Sequence, residues 1–125
     1  MKFTIPLVPV SKKNSQRIVL AGTRYIPLPS QKYTDYERQA VFFIPRLREP
    51  ISYPVNVKCL FYMPTKRRCD LTNMLEAIDD VMVKHRLLAD DNYSIIVSHD
   101  GSRVLYDKQN PRTEVYITRF ENATT

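Results

Sequence analysis

The feature that most constrains the fold is a change of hydrophobic period in the middle of the chain. Residues 55–63 (VNVKCLFYM) alternate apolar and polar positions as a strand does, whereas Leu71, Met74, Leu75, Ile78, Val81 and Met82 recur at helical spacing. Only Pro64 and the basic turn Thr65–Asp70 (TKRRCD) separate the two runs, so a strand must pass directly into a helix over Leu71–His85. Asp70 stands at the N-cap position of that helix. On the opposite side from the apolar stripe, Asn73, Glu76 and Asp80 fall within about 60° of one another at 100° per residue.

Other elements arrange themselves around this pair. Lys2–Val8 reads as a first strand, held to an edge or broken by Pro6. A polar, basic segment (Pro9–Arg17) leads into a hairpin formed by Ile18–Leu20 and Arg24–Pro27. Ser30 is the N-cap of a first helix whose face carries Tyr33, Tyr36, Ala40, Phe43 and Leu47, ended or kinked by Pro45. After the second helix, Tyr93–His99 and Thr113–Phe120 read as strands joined through a turn at Asp107–Pro111. The expected architecture is a mixed α/β (α+β) fold with two main helices packed on a sheet. At 125 residues it forms a single domain.

Composition excludes several classes. No apolar run approaches the ~20 residues of a membrane span, and the amino-terminal stretch lacks a small-residue cleavage site, so a cytoplasmic location is expected. Cys59 and Cys69 are too few for a zinc set and are read as free thiols. Neither a Gly-rich phosphate loop nor a Gly-x-Ser-x-Gly elbow is present.

Charge is unevenly spread. Residues 1–68 hold thirteen Lys or Arg against three acids, and residues 69–125 hold six against ten. A basic half beside an acidic half suits a nuclease, in which cations hold phosphates and carboxylates gather a metal. Many basic proteins bind nothing anionic, however, and charge alone leaves both readings open. The acids sit where elements end: Asp70 between strand and helix, Asp90 and Asp91 between helix and strand. They meet at one edge only if the chain doubles back after the helix. If they meet, two or three carboxylates with waters and a phosphate oxygen satisfy the oxygen shell of Mg²⁺. The same residues also fit a helix cap and a solvated acidic turn. His99 is a candidate proton shuttle, or a structural histidine.

The run Arg67-Arg68-Cys69-Asp70-Leu71-Thr72-Asn73, the helix after it, and Leu88-Ala89-Asp90-Asp91-Asn92 before a strand resemble the signature of RusA-type Holliday junction resolvases. The loop Val10-Ser11-Lys12-Lys13-Asn14 and the Ser30-x-x-Tyr33 helix start agree with it, so the resemblance covers nearly the whole chain. It implies a homodimeric, Mg²⁺-dependent (or Mn²⁺-dependent) endonuclease that cuts branched DNA, with Asp70, Asp90 and Asp91 on the metal. Lys12, Lys13, Asn14, Arg17, Arg24, Lys66, Arg67, Arg68, Asn73 and Arg103 are the candidate DNA contacts. Two departures stand out. Many family members carry a further catalytic Asp where this chain has Thr72, and a catalytic Lys where it has Glu76. Glu76 is expected to supply the missing carboxylate. The rival readings are a catalytically weak or inactive junction-binding protein, a nuclease for flaps, forks or RNA, and a structural protein whose acids are caps and turns.

Overall fold

The computed structural model describes residues 1–12, 17–28 and 30–121. Its elements run β1 (Lys2–Ile5), β2 (Arg17–Ala21), β3 (Arg24–Leu28), α1 (Gln31–Ala40), β4 (Val55–Met63), α2 (Leu71–Lys84), β5 (Ile96–Ser98), β6 (Arg103–Tyr106) and β7 (Arg112–Arg119).

β4 is the axis of the main sheet. Its alternation places Val55, Val57, Cys59 and Phe61 inside, and β7 runs antiparallel along its whole length, from Val55↔Arg119 to Tyr62↔Arg112. β1 closes the far edge by pairing with β7, as expected of a strand ending at a proline that has no N–H for the ladder. The other edge of β4 is shared. β5 pairs in parallel with its start (Val55↔Ile96) and β6 with its end (Leu60↔Arg103 to Met63↔Tyr106). The β2–β3 hairpin forms a separate two-stranded sheet, with Gly22 at φ 64° in the tight turn.

One face of the main sheet is packed. Tyr33, Tyr36 and Ala40 of α1 and Met74, Leu75, Ala77, Ile78, Val81 and Met82 of α2 share a core with Phe3, Ile5, Val115, Ile117 and the inward side of β4. The opposite face stays partly open, with Lys58 and Arg112 lying over the rings of Tyr116 and Tyr62 at 4.3 and 3.8 Å. Both cysteines are free, and no helix among the described residues is long and apolar enough to cross a membrane.

Several expected boundaries need correction. β1 ends at Ile5, before Pro6, rather than at Val8. α1 ends at Ala40, and Phe43 and Leu47 are 39% and 38% exposed instead of continuing its buried face. The cause is Pro45, whose ring clashes with the carbonyl four residues back, on the C-cap Val41. β5 spans three residues instead of seven, with Tyr93 in a turn and 88% exposed. β6 is a strand the sequence reading lacked.

Candidate active site

Asp70 takes the N-cap place at the head of α2 with extended backbone (φ −90°, ψ 123°), but its side chain makes no capping bond. Instead its Oδ2 accepts a hydrogen bond from Asn73 Nδ2 at 3.3 Å, one turn on. Asp70 is the N-cap as expected, its backbone carbonyl accepting from Met74 N at 3.1 Å, and only the side-chain capping bond is missing. The exposed carboxylate therefore lies at the positive end of the helix dipole without being consumed by it. Beside it, the Cys69 thiol is raised above its ordinary pKa by burial and then by the charge of Asp70.

A cavity of about 360 Å³ opens next to this helix start, between Val8–Ser11, the end of β4 and the basic turn. Its charged lining is entirely basic: Lys32, Arg67 and Arg68. Lys66 leans over the ring of Tyr106 at 5.1 Å. Lys32 is a cavity cation outside the DNA contacts expected from the sequence. Its signal was a cation in the first turn of α1, where the helix dipole disfavours positive charge.

The far end of α2 brings the other acids. His85 is the C-cap, Arg86 adopts a left-handed conformation (φ 63°), and Arg86 N and Leu87 N donate to the carbonyls of Val83 and Met82 at 3.0 and 2.9 Å. This paired closure reverses the chain. A bridge between Ile51 and Leu88, with Ala89 N donating to Ile51 O at 2.9 Å, carries it to Asp90. The Asp90 carboxylate accepts from Asp91 N (2.7 Å) and Asn92 Nδ2 (3.1 Å), fixing the turn.

The reversal brings Asp91 back toward α2, within reach of the charge of Asp80. Partial burial, a hydrogen bond with Asp90 and the charges of Asp80 and Asp90 together raise its carboxyl above the usual carboxylate range. Asp79, buried on the adjacent side of α2, is raised by burial and also feels Asp91 and Asp80, with His99 pulling the other way. His99 is not free to shuttle protons. Its Nδ1 lies 2.8 Å from Val57 O and its Nε2 2.8 Å from Asp79 Oδ2. Asp80 is paired with Lys12 at 3.2 Å. Asp79 and Asp80 were the acids the sequence reading left without a role.

Asp70 and Asp80 are ten residues apart, about 15 Å along the helix axis. Asn73, Glu76 and Asp80 lie along one side of α2 between the two ends, with Glu76 exposed one turn before Asp80. The acids form a strip along the helix rather than one knot: Asp70 heads α2, and Asp80 and Asp90 are carboxylates whose charge bears on Asp91. Among the described residues no three His, Cys, Asp or Glu side chains are disposed to hold a metal ion. Among the other expected DNA contacts, Arg24 opens β3 and Arg103 opens β6, both exposed. Arg17 opens β2, while its side chain, and Lys13 and Asn14 altogether, lie outside the described residues.

A comparison with curated proteins finds no match. A protein-family model, endodeoxyribonuclease RusA, matches residues 6–118, a span that holds the basic cavity, all of α2 and the Asp90–Asp91 turn. With nine-tenths of its length inside that match, the chain belongs to the endodeoxyribonuclease RusA family, whose activity is the resolution of Holliday junctions.

Proposed function

We propose that this RusA-family junction-resolving endonuclease cuts its phosphodiesters on the strip along α2, with Asp90 and Asp91 as the carboxylates for a divalent cation and Asp70 as the third catalytic acid. The observation that carries the reading is the chain reversal that returns the Asp90–Asp91 turn toward α2, where partial burial first, and then the bond with Asp90 and the charges of Asp80 and Asp90, raise the Asp91 carboxyl above the usual carboxylate range. Structural turns have no use for this added negative charge, whereas a cation relieves it. Mg²⁺ commonly takes only one or two carboxylates and completes its shell with water and substrate phosphate, so the donors present suit it. Bound Mg²⁺, or Mn²⁺ in its place, would supply a Lewis acid for the charge that grows on the phosphate oxygens.

The remaining roles fall to the chain itself. Arg67, Arg68 and Lys32 around the cavity hold the DNA backbone by charge without reading bases. Asn73 orients the Asp70 carboxylate through the bond it donates. Glu76, on the side of α2 that leads to Asp80, replaces the carboxylate that Thr72 does not provide. A four-way junction has near two-fold symmetry, and a C2 homodimer would present one strip to each of the paired strands.

The test is cleavage of synthetic junction, fork, flap and duplex DNAs by the wild type, Asp70→Asn and Asp91→Asn, with and without Mg²⁺. Junction cleavage that needs the metal, and that falls about 100-fold or more in each variant while junction binding persists, is expected. Cleavage undiminished in Asp91→Asn would remove Asp91 from the site.

A further inference from the structure

Two basic side chains among the described residues meet Asp79 and Asp80, two of the four carboxylates on and beside the third turn of α2. One is His99, committed to Asp79 and Val57. The other is Lys12, which reaches in from the loop after β1, with its Nζ 3.2 Å from Asp80 Oδ2 and 5.7 Å from the centroid of Tyr33. Lys12 is thus held from two directions: a carboxylate of α2 and the ring face of a residue buried in α1. Both members of the ion pair are only about one-third exposed (37% and 31%), so the contact is less screened than a surface pair. The loop that carries it lies on the cavity side as well, since Val10 and Ser11 line the basic cavity.

A phosphate that approaches Asp90 and Asp91 meets a strongly negative surface. It needs a protein cation on the spot as well as the distant arginines of the basic turn. We propose that Lys12 is the cation of the cleavage site itself: Asp80 holds its ammonium at the third turn of α2, and from there it touches the phosphate being cut and neutralises the charge that develops on it. Asp80 is then a positioning residue, acting through Lys12. This inference rests on the nuclease reading above and adds to it. Lys12 contributes to the chemical step, where a backbone contact would contribute to affinity alone.

Single-turnover cleavage of a synthetic four-way junction, with protein in excess of its dissociation constant, separates the two roles. Junction affinity is measured in parallel without metal, and thermal unfolding verifies the fold of each variant. Lys12→Met is expected to lower the single-turnover rate about 100-fold while affinity changes by less than about 3-fold. Lys12→Arg, which keeps the charge, should stay within about 10-fold of the wild type. Asp80→Asn should also slow the step, and Lys12→Met combined with Asp80→Asn should be no slower than Lys12→Met alone, because both act through one ammonium. If Lys12→Met perturbs folding, Lys12→Gln is measured in its place. A wild-type rate at saturation with weakened binding makes Lys12 an ordinary backbone contact and overturns the inference, and so does full additivity of the two losses. A wild type that binds the junction but never nicks it in Mg²⁺ or Mn²⁺ instead overturns the nuclease reading, and this inference falls with it.

Discussion

A carbonyl can only accept, so the contact between His99 Nδ1 and Val57 O requires a proton on Nδ1. The 2.8 Å contact between Nε2 and Asp79 therefore needs one more proton, carried either by the imidazole as a cation or by the carboxylic acid. Burial alone would lower the histidine's pKa. The hydrogen bond and charge of Asp79, helped by the Val57 carbonyl, outweigh it and leave His99 above its ordinary 6.5. A raised histidine contributes stability that is present in full below the unfolded pKa and is lost as pH rises through the folded one. Asp79 points the same way. Its burial, its Oδ1 without a hydrogen-bond partner and the nearby Asp80 and Asp91 raise its pKa, so its ionisation costs the folded state as pH increases. Thermal unfolding between pH 6 and 9 should show stability declining from about pH 6.5 upward. His99→Gln should flatten that decline; an unchanged profile in this variant would detach it from the pair. The sequence contained a hint of Asp79. At 100° per residue Asp79 lies about 60° from Glu76 on the side away from Asp80 and about 40° from Leu75 of the apolar stripe, which sets it at the border of the core.

At the scale of elements, α2 was the most legible part of the chain because its apolar stripe and the strand before it switch period within a few residues. β4 was equally plain. What escaped was set by contacts between elements. The edge of β4 is divided between β5 and β6, and in the gap the backbone N–H of Cys59 donates to Ser102 Oγ at 2.9 Å, a side chain standing in for a strand. Asn56 ties the same loop through Ser98 Oγ, Asp100 N and Asp100 O. Four residues of β6 between a glycine turn and an aspartate turn carry too little alternation to announce themselves, and their pairing is entirely long-range. The end of α2 offers a local test. Arg86 is exposed and left-handed at the place where helices usually put glycine, and the chain reversal that delivers Asp90 and Asp91 depends on it. Relief of the left-handed strain outweighs the extra freedom glycine gives the unfolded chain. Arg86→Gly should therefore raise stability by about 0.5 to 1 kcal/mol in denaturant titration. A loss of stability would mean that the arginine side chain itself holds the reversal.

For the molecule as a whole, the division between a basic and an acidic half of the sequence becomes a division of labour in space. The arginines of the basic turn line a cavity at the head of α2, while the acids continue along that helix to the Asp90–Asp91 turn. Charge counts anticipated this partition but not its axis, which required the helix to link the two ends and the chain to reverse after it. The number of phosphates held follows from the partition. Each contact displaces roughly one condensed counterion, so the logarithm of junction affinity should fall with the logarithm of salt concentration at a slope of about −0.9 per contact. Arg67→Ala combined with Arg68→Ala removes two contacts from each chain. A monomer should then lose about 2 from the slope and a C2 dimer engaging the junction with both cavities about 4, measured metal-free between about 50 and 200 mM salt. Sedimentation of the free protein supplies the stoichiometry independently. If the protein is dimeric yet the slope changes by only about 2, one of the two cavities is idle on the junction, and symmetric engagement of both paired strands is excluded.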